Sequence, residues 1–165
     1  MHSIWRPLTV GTVIIVSATL AANVATVWPQ ANDPRVGTWK LNVAKSKYDP
    51  GPVPQSLTVK VEPAGSGEKV TTETVAADGK RTTAGYTANF DGKDYPLTGS
   101  LLGADKVSLK RIDARTTERM DKKDGKTVQT LNRVVSQDGK TMTVTTKGTN
   151  LEGKPINNVG VFDKQ

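Results

Sequence analysis

Along most of the chain, apolar and polar residues alternate with a period of two. Leu57-Thr58-Val59-Lys60-Val61-Glu62, Lys106-Val107-Ser108-Leu109-Lys110 and Thr141-Met142-Thr143-Val144-Thr145 show it most plainly. That period puts one set of side chains on each face of a strand. Thr and Val dominate these stretches, and their stiff, branched side chains favour the same conformation. No convincing helical period of useful length occurs after the leader described below. The alternating stretches are punctuated by a recurring tripeptide: Asp78-Gly79-Lys80, Asp91-Gly92-Lys93, Asp124-Gly125-Lys126 and Asp138-Gly139-Lys140, with Glu152-Gly153-Lys154 as a near copy. Asp-Gly suits a tight hairpin, because Gly takes positive φ freely and Asp tolerates it. A spacing of about 14 residues leaves two turn residues and a strand of roughly ten. The pattern predicts strands at 36–41, 56–63, 68–77, 80–90, 93–98, 106–112, 116–122, 126–137, 140–149 and 154–163. The expected fold class is all-β, an antiparallel up-and-down β-barrel of about eight to ten strands, since an open meander of this length would expose its edges. A two-sheet sandwich is the alternative.

The first thirty residues differ in kind. Met1 to Arg6 carries one basic residue and no acid, Pro7 to Val27 has no charged residue, and Val10 to Val16 reads VGTVIIV. A basic start, an apolar run and then a polar chain describe a secretory signal peptide over residues 1–31, with Ala31 before the cut. An N-terminal membrane anchor is the alternative, because the run is about long enough to span a bilayer. Residues 32–165 then form a single barrel domain. The absence of Cys in an exported chain of this size points to a periplasmic or secreted bacterial protein.

Composition removes several chemistries. Without Cys there are no disulfides, thiolate metal sites or Cys nucleophiles. The only histidine is His2, inside the leader, so the domain lacks the imidazole that Ser-His-Asp catalysis, His-ligated zinc and haem require. No phosphate-binding glycine loop appears, and the Asp-Gly-Lys turns lack the spaced acids of a calcium loop. No catalytic residue, metal or cofactor is expected. The formal net charge is +7, but lysines sit at turn tips and alternate outward, as on a solvated surface that protects its edges. Nucleic-acid binding would need exposed aromatics among the basic residues, and a core consumes most of those present. Contact with an anionic envelope surface is the one partner the charge itself suggests.

Gly37-Thr38-Trp39-Lys40-Leu41 opens the first predicted strand. A Gly followed two residues later by Trp at that place resembles the signature of lipocalins and fatty-acid-binding proteins. Leu131-Asn132-Arg133-Val134-Val135-Ser136-Gln137-Asp138-Gly139-Lys140 resembles that family's stretch in which an interior Arg precedes a turn, and Val161-Phe162-Asp163-Lys164 resembles its closing strand. The resemblance implies a lipocalin-like barrel in which Gly37 and Trp39 plug one end. It departs in two places. Pro50, Gly51, Pro52 and Pro54 break any helix between Asn42 and Gln55, so a semi-extended loop is expected where the family has a helical lid. The family's carboxylate-binding Arg-x-Tyr on the last strand is matched by Gly160 and Phe162, so half of that site is missing. The chain is also similar to a group of small exported bacterial proteins that begin Gly-Thr-Trp-Lys-Leu-Asn and continue Lys-Ser-Lys-Tyr, which implies no activity.

A barrel of this size holds a small molecule inside. Tyr86, Ala88 and Phe90 alternate on one predicted strand, Val107, Leu109 and Arg111 on another, and Leu131, Arg133 and Val135 on a third. If each apolar stripe faces inward, Arg111 and Arg133 come with it. A buried Arg needs a partner: a ligand carboxylate, an internal acid (Glu73, Glu118 or Asp121), or Trp39 at the barrel end, along which the Arg would stretch. Arg133, Arg111, Tyr86, Phe90 and Leu109 are therefore the candidate ligand-binding residues, and Tyr48 and Tyr95 lie where they would rim an opening. The expected function is non-catalytic binding of a small, hydrophobic or amphipathic ligand, anionic if the arginines face it. The alternative is a structural or interaction protein of the envelope with a solid core and a basic surface. Oligomeric state cannot be read from the chain.

Overall fold

A computed structural model describes residues 33–99 and 103–165. The expected leader, with its export signal or anchor, lies outside them. The strands are β1 (Gly37–Leu41), β2 (Ser56–Ala64), β3 (Gly67–Val75), β4 (Arg81–Asn89), β5 (Tyr95–Thr98), β6 (Lys106–Arg111), β7 (Thr116–Lys123), β8 (Lys126–Val135), β9 (Thr141–Thr149) and β10 (Pro155–Lys164). Each pairs antiparallel with its neighbour in sequence, and β1 closes on β10 through Trp39–Lys164 and Leu41–Phe162, giving a closed barrel. Closure pairs both edges of every strand and so removes the edge problem.

The turns show why the Asp-Gly corners recur, and they are of more than one kind. Only Asp124-Gly125 makes the two-residue turn that the spacing suggests, with positive φ at both positions (50° and 74°). At Asp78 and Asp138 the loop is longer. There the carboxylate accepts from the backbone N–H two residues on, at 3.0 Å, and the glycine N–H donates back to Ala76 or Ser136. In the near copy this task passes to Asn150, whose Oδ1 accepts from the N–H groups of Glu152 and Lys154.

The proline-rich connection after β1 has one 3₁₀ turn, Val43–Lys45. It then runs extended along β10, where Lys47 exchanges backbone hydrogen bonds with Val159 and Asp49 accepts from Asn157. This places Tyr48 over the barrel's interior without a helical lid.

The interior is divided along its length. The closed end is where β1 begins and where the β2–β3, β4–β5, β6–β7 and β8–β9 connections lie. There Trp39, Val61, Ala88, Leu109 and Val135 are buried. The opposite end carries the β3–β4, β7–β8 and β9–β10 turns. On the outer face of β6, Ser108 is fully buried and its Oγ has no hydrogen-bond partner among the described residues. An unsatisfied buried hydroxyl opposes folding. Ser108→Ala is therefore expected to leave the thermal midpoint unchanged or raise it slightly, and a clear drop in a melting scan would show a partner for that hydroxyl.

Candidate functional site

Between the packed closed end and the opposite rim lies a half-enclosed cavity of about 320 Å³. Inward-facing residues of every strand except β1 and β6 build it. Val59, Val70, Ala84, Leu131 and Val144 form apolar walls, while Thr74, Thr82, Thr146 and Asn158 stand nearer the rim. Register sets apolar and polar lining residues side by side, because Leu57 faces Thr74, which faces Thr82, and Leu131 faces Thr146, which faces Asn158. Tyr48 also lines the cavity, and burial pushes its phenol pKa up.

Two arginines reach this space. Arg133, 5% exposed, lies at the cavity floor beside Tyr86. Its Nη2 donates to Glu68 Oε1 at 2.6 Å, its Nη1 to the Tyr86 hydroxyl at 3.2 Å and its Nε to Thr117 Oγ1 at 3.1 Å. Tyr86 in turn donates to Glu68 at 2.7 Å. Arg119 grips the fully buried Asp121 bidentately, at 2.5 and 2.7 Å, and its guanidinium lies 4.9 Å from the Tyr86 ring centre. Gln129 donates to Asp121 as well.

Beneath Arg133 the network continues away from the cavity. Glu68 Oε2 accepts from Arg35 at 2.8 Å, and Arg35 also pairs with Asp33. Asp33 takes Arg111 at 2.5 Å. Arg35 and Arg111 both lie over the Phe90 ring, at 4.6 and 4.5 Å from its centre. The Arg35 carbonyl accepts from the Trp39 indole N–H at 2.8 Å. Trp39 is wholly buried here, with Lys164 Nζ 5.0 Å above its ring. Gly37 enters β1 at φ 133°, a conformation that suits glycine.

These contacts set the ionisation. Burial alone would raise the Glu68 pKa, but Arg133 and Arg35 outweigh it and hold the carboxyl below the usual range. Asp33 is lowered in the same way: burial opposes, and Arg35 and Arg111 prevail. Burial drives the Tyr86 phenol well upward. It also pulls the Arg35 pKa down, yet a guanidinium stays charged at any ordinary pH.

The candidates read from the chain thus fall in two places. Arg133 and Tyr86 line the cavity, with the core residue Leu109 outside its lining, whereas Arg111 and Phe90 sit with Arg35 and Asp33 at the closed end. The internal partner of Arg133 is Glu68, not Glu73, Glu118 or Asp121, and Asp121 serves Arg119. Tyr95 donates to Asp91 outside the cavity lining. Arg35, Glu68 and Arg119 went unread in the sequence. Alternation did offer a signal for one of them, because Glu68 stands two residues before the inward Val70.

Fold and cavity together define a closed up-and-down antiparallel barrel with a hollow interior, the lipocalin-like architecture that the Gly-x-Trp resemblance implies. Among solved structures, the chain is similar to zebrafish ileal bile acid-binding protein in complex with cholic acid. The TM-score is 0.49 and the identity 12%, over 80% of this chain and 99% of that one. No family model matches the chain, and no curated protein matches it in sequence.

Proposed function

We propose that this protein is an exported, non-catalytic binder that holds one small amphipathic molecule inside its barrel. The apolar body of the ligand lies against Val59, Val70, Leu131 and Val144, and an anionic group meets the floor at Arg133 and Tyr86. The observation that carries the reading is the cavity itself: about 320 Å³, mostly apolar, with a guanidinium at its base. That is within the size and character of small-molecule sites. The charge-poor leader with its lone Arg6 supports action outside the cytoplasm.

The test is a fluorescence titration with 8-anilinonaphthalene-1-sulfonate, an anionic amphiphile, against wild type and Ala84→Trp. Ala84 lines the cavity, so an indole at this position fills it. Wild type is expected to bind one equivalent, and the variant to bind at least tenfold more weakly while keeping a wild-type circular dichroism spectrum. Equal binding by the two would place the probe on the outer surface and end the reading.

A further inference from the structure

The five charged side chains from the closed end to the cavity floor form a single alternating chain: Arg111–Asp33–Arg35–Glu68–Arg133. Each carboxylate is shared. Glu68 gives Oε2 to Arg35 and Oε1 to Arg133, and Asp33 lies between Arg35 and Arg111. Three guanidiniums therefore face two carboxylates, and the chain carries one surplus positive charge. The neighbouring Arg119–Asp121 pair is balanced and adds nothing to the sum. Lys164 donates to the Pro34 carbonyl at the outer side of the closed end, where it is exposed and solvent screens it. No arginine can shed its proton to settle the imbalance.

We infer that Asp33 and Arg35, a segment outside the cavity, set the charge preference of the cavity floor. This rests on the reading of the cavity as a binding site and adds a determinant that no lining residue supplies. Arg133 is the one member of the chain that lines the cavity, so an anion entering the cavity meets the surplus there. The sign of each substitution follows from counting. Without the Arg35 charge, Asp33 neutralises Arg111, Glu68 neutralises Arg133, and the floor loses its surplus. Without the Asp33 charge, three guanidiniums share one carboxylate, and the surplus doubles. Charges one carboxylate apart in partly buried surroundings shift affinity by about five- to tenfold.

The experiment compares two probes of nearly the same shape: 8-anilinonaphthalene-1-sulfonate, which is anionic, and N-phenyl-1-naphthylamine, its neutral counterpart. The readout is the ratio of their affinities in the intact protein. Arg35→Gln is expected to lower the preference for the anion about five- to tenfold, and Asp33→Asn to raise it by a similar factor. Arg35→Lys, which keeps the charge, should stay close to wild type. A merely structural role would weaken both probes together and move both variants in one direction. Ratios that stay constant, or shift the same way in Arg35→Gln and Asp33→Asn, overturn the inference alone. Failure of wild type to bind either probe overturns the reading of the cavity and the inference with it. Should Arg35→Gln not fold, Asp33→Asn against wild type decides the matter, since only charge linkage raises the preference.

Discussion

Replacing Glu68 with Ala is expected to lower the unfolding free energy by about 3–5 kcal/mol, read as the shift in urea midpoint at constant slope. The cost is large because one side chain serves two buried cations. Arg35 and Arg133 are 2% and 5% exposed, and both direct a guanidinium nitrogen at this carboxylate. Exchanging a whole buried ion pair for apolar groups is often harmless, whereas deleting one partner strands the other without compensation. Here Arg133 loses its one carboxylate, Arg35 is left to share Asp33 with Arg111, and Tyr86 loses the acceptor of its hydroxyl.

The same carboxylate gives the protein a definite acid response. Its pKa in the fold lies below the ordinary 4.5. Between those two values the unfolded chain holds more protons than the native one, so stability rises with pH across that window. The contribution is complete above the ordinary value and is lost as pH falls through the depressed one. Asp33 adds a second contribution of the same sign. Urea midpoints measured from pH 7 downward should therefore fall on acidification in wild type and fall less steeply in Glu68→Ala. A variant with the wild-type acid limb would mean that another group holds the arginines.

The barrel was legible in the chain because its signals are local. Alternation, β-branched residues and Asp-Gly corners each act over a few residues, and all ten expected strands are present with no end shifted by more than two positions. The polar interior was not legible, for two reasons. Its pairs join residues far apart in sequence, such as Glu68 with Arg133 and Asp33 with Arg111, and no periodicity links them. The rule that the apolar phase faces inward also fails on β7. There Met120 is the apolar residue, yet the inward set is Thr117, Arg119 and Asp121. A reader following Met120 turns that strand inside out and loses Arg119. Arg35 precedes the first strand, where no phase exists to be read. What survives is the part of the site on strands whose apolar phase is correct, Tyr86 on β4 and Arg133 on β8.

Trp39→Ala should cost as much as the loss of Glu68, about 3–5 kcal/mol, for a different reason. The indole is completely buried and belongs to the apolar cluster at the closed end. Truncation leaves a void that the surrounding hydrogen-bonded strands cannot collapse to fill, and an apolar void of this kind stays dry. The nitrogen adds a separate contribution, since its N–H donates to the Arg35 carbonyl at 2.8 Å. Trp39→Phe keeps most of the ring volume and leaves that carbonyl without its buried donor, so a loss of about 1–3 kcal/mol is expected. The two variants thus separate packing from hydrogen bonding by urea midpoint alone. If both lost the same amount, the hydrogen bond rather than the ring would anchor this end. If neither lost more than about 1 kcal/mol, the closed end would owe its stability to the arginine–carboxylate chain instead. The indole matters beyond stability because it fastens the backbone of Arg35, and through Arg35 it holds the residue that sets the charge beneath the cavity.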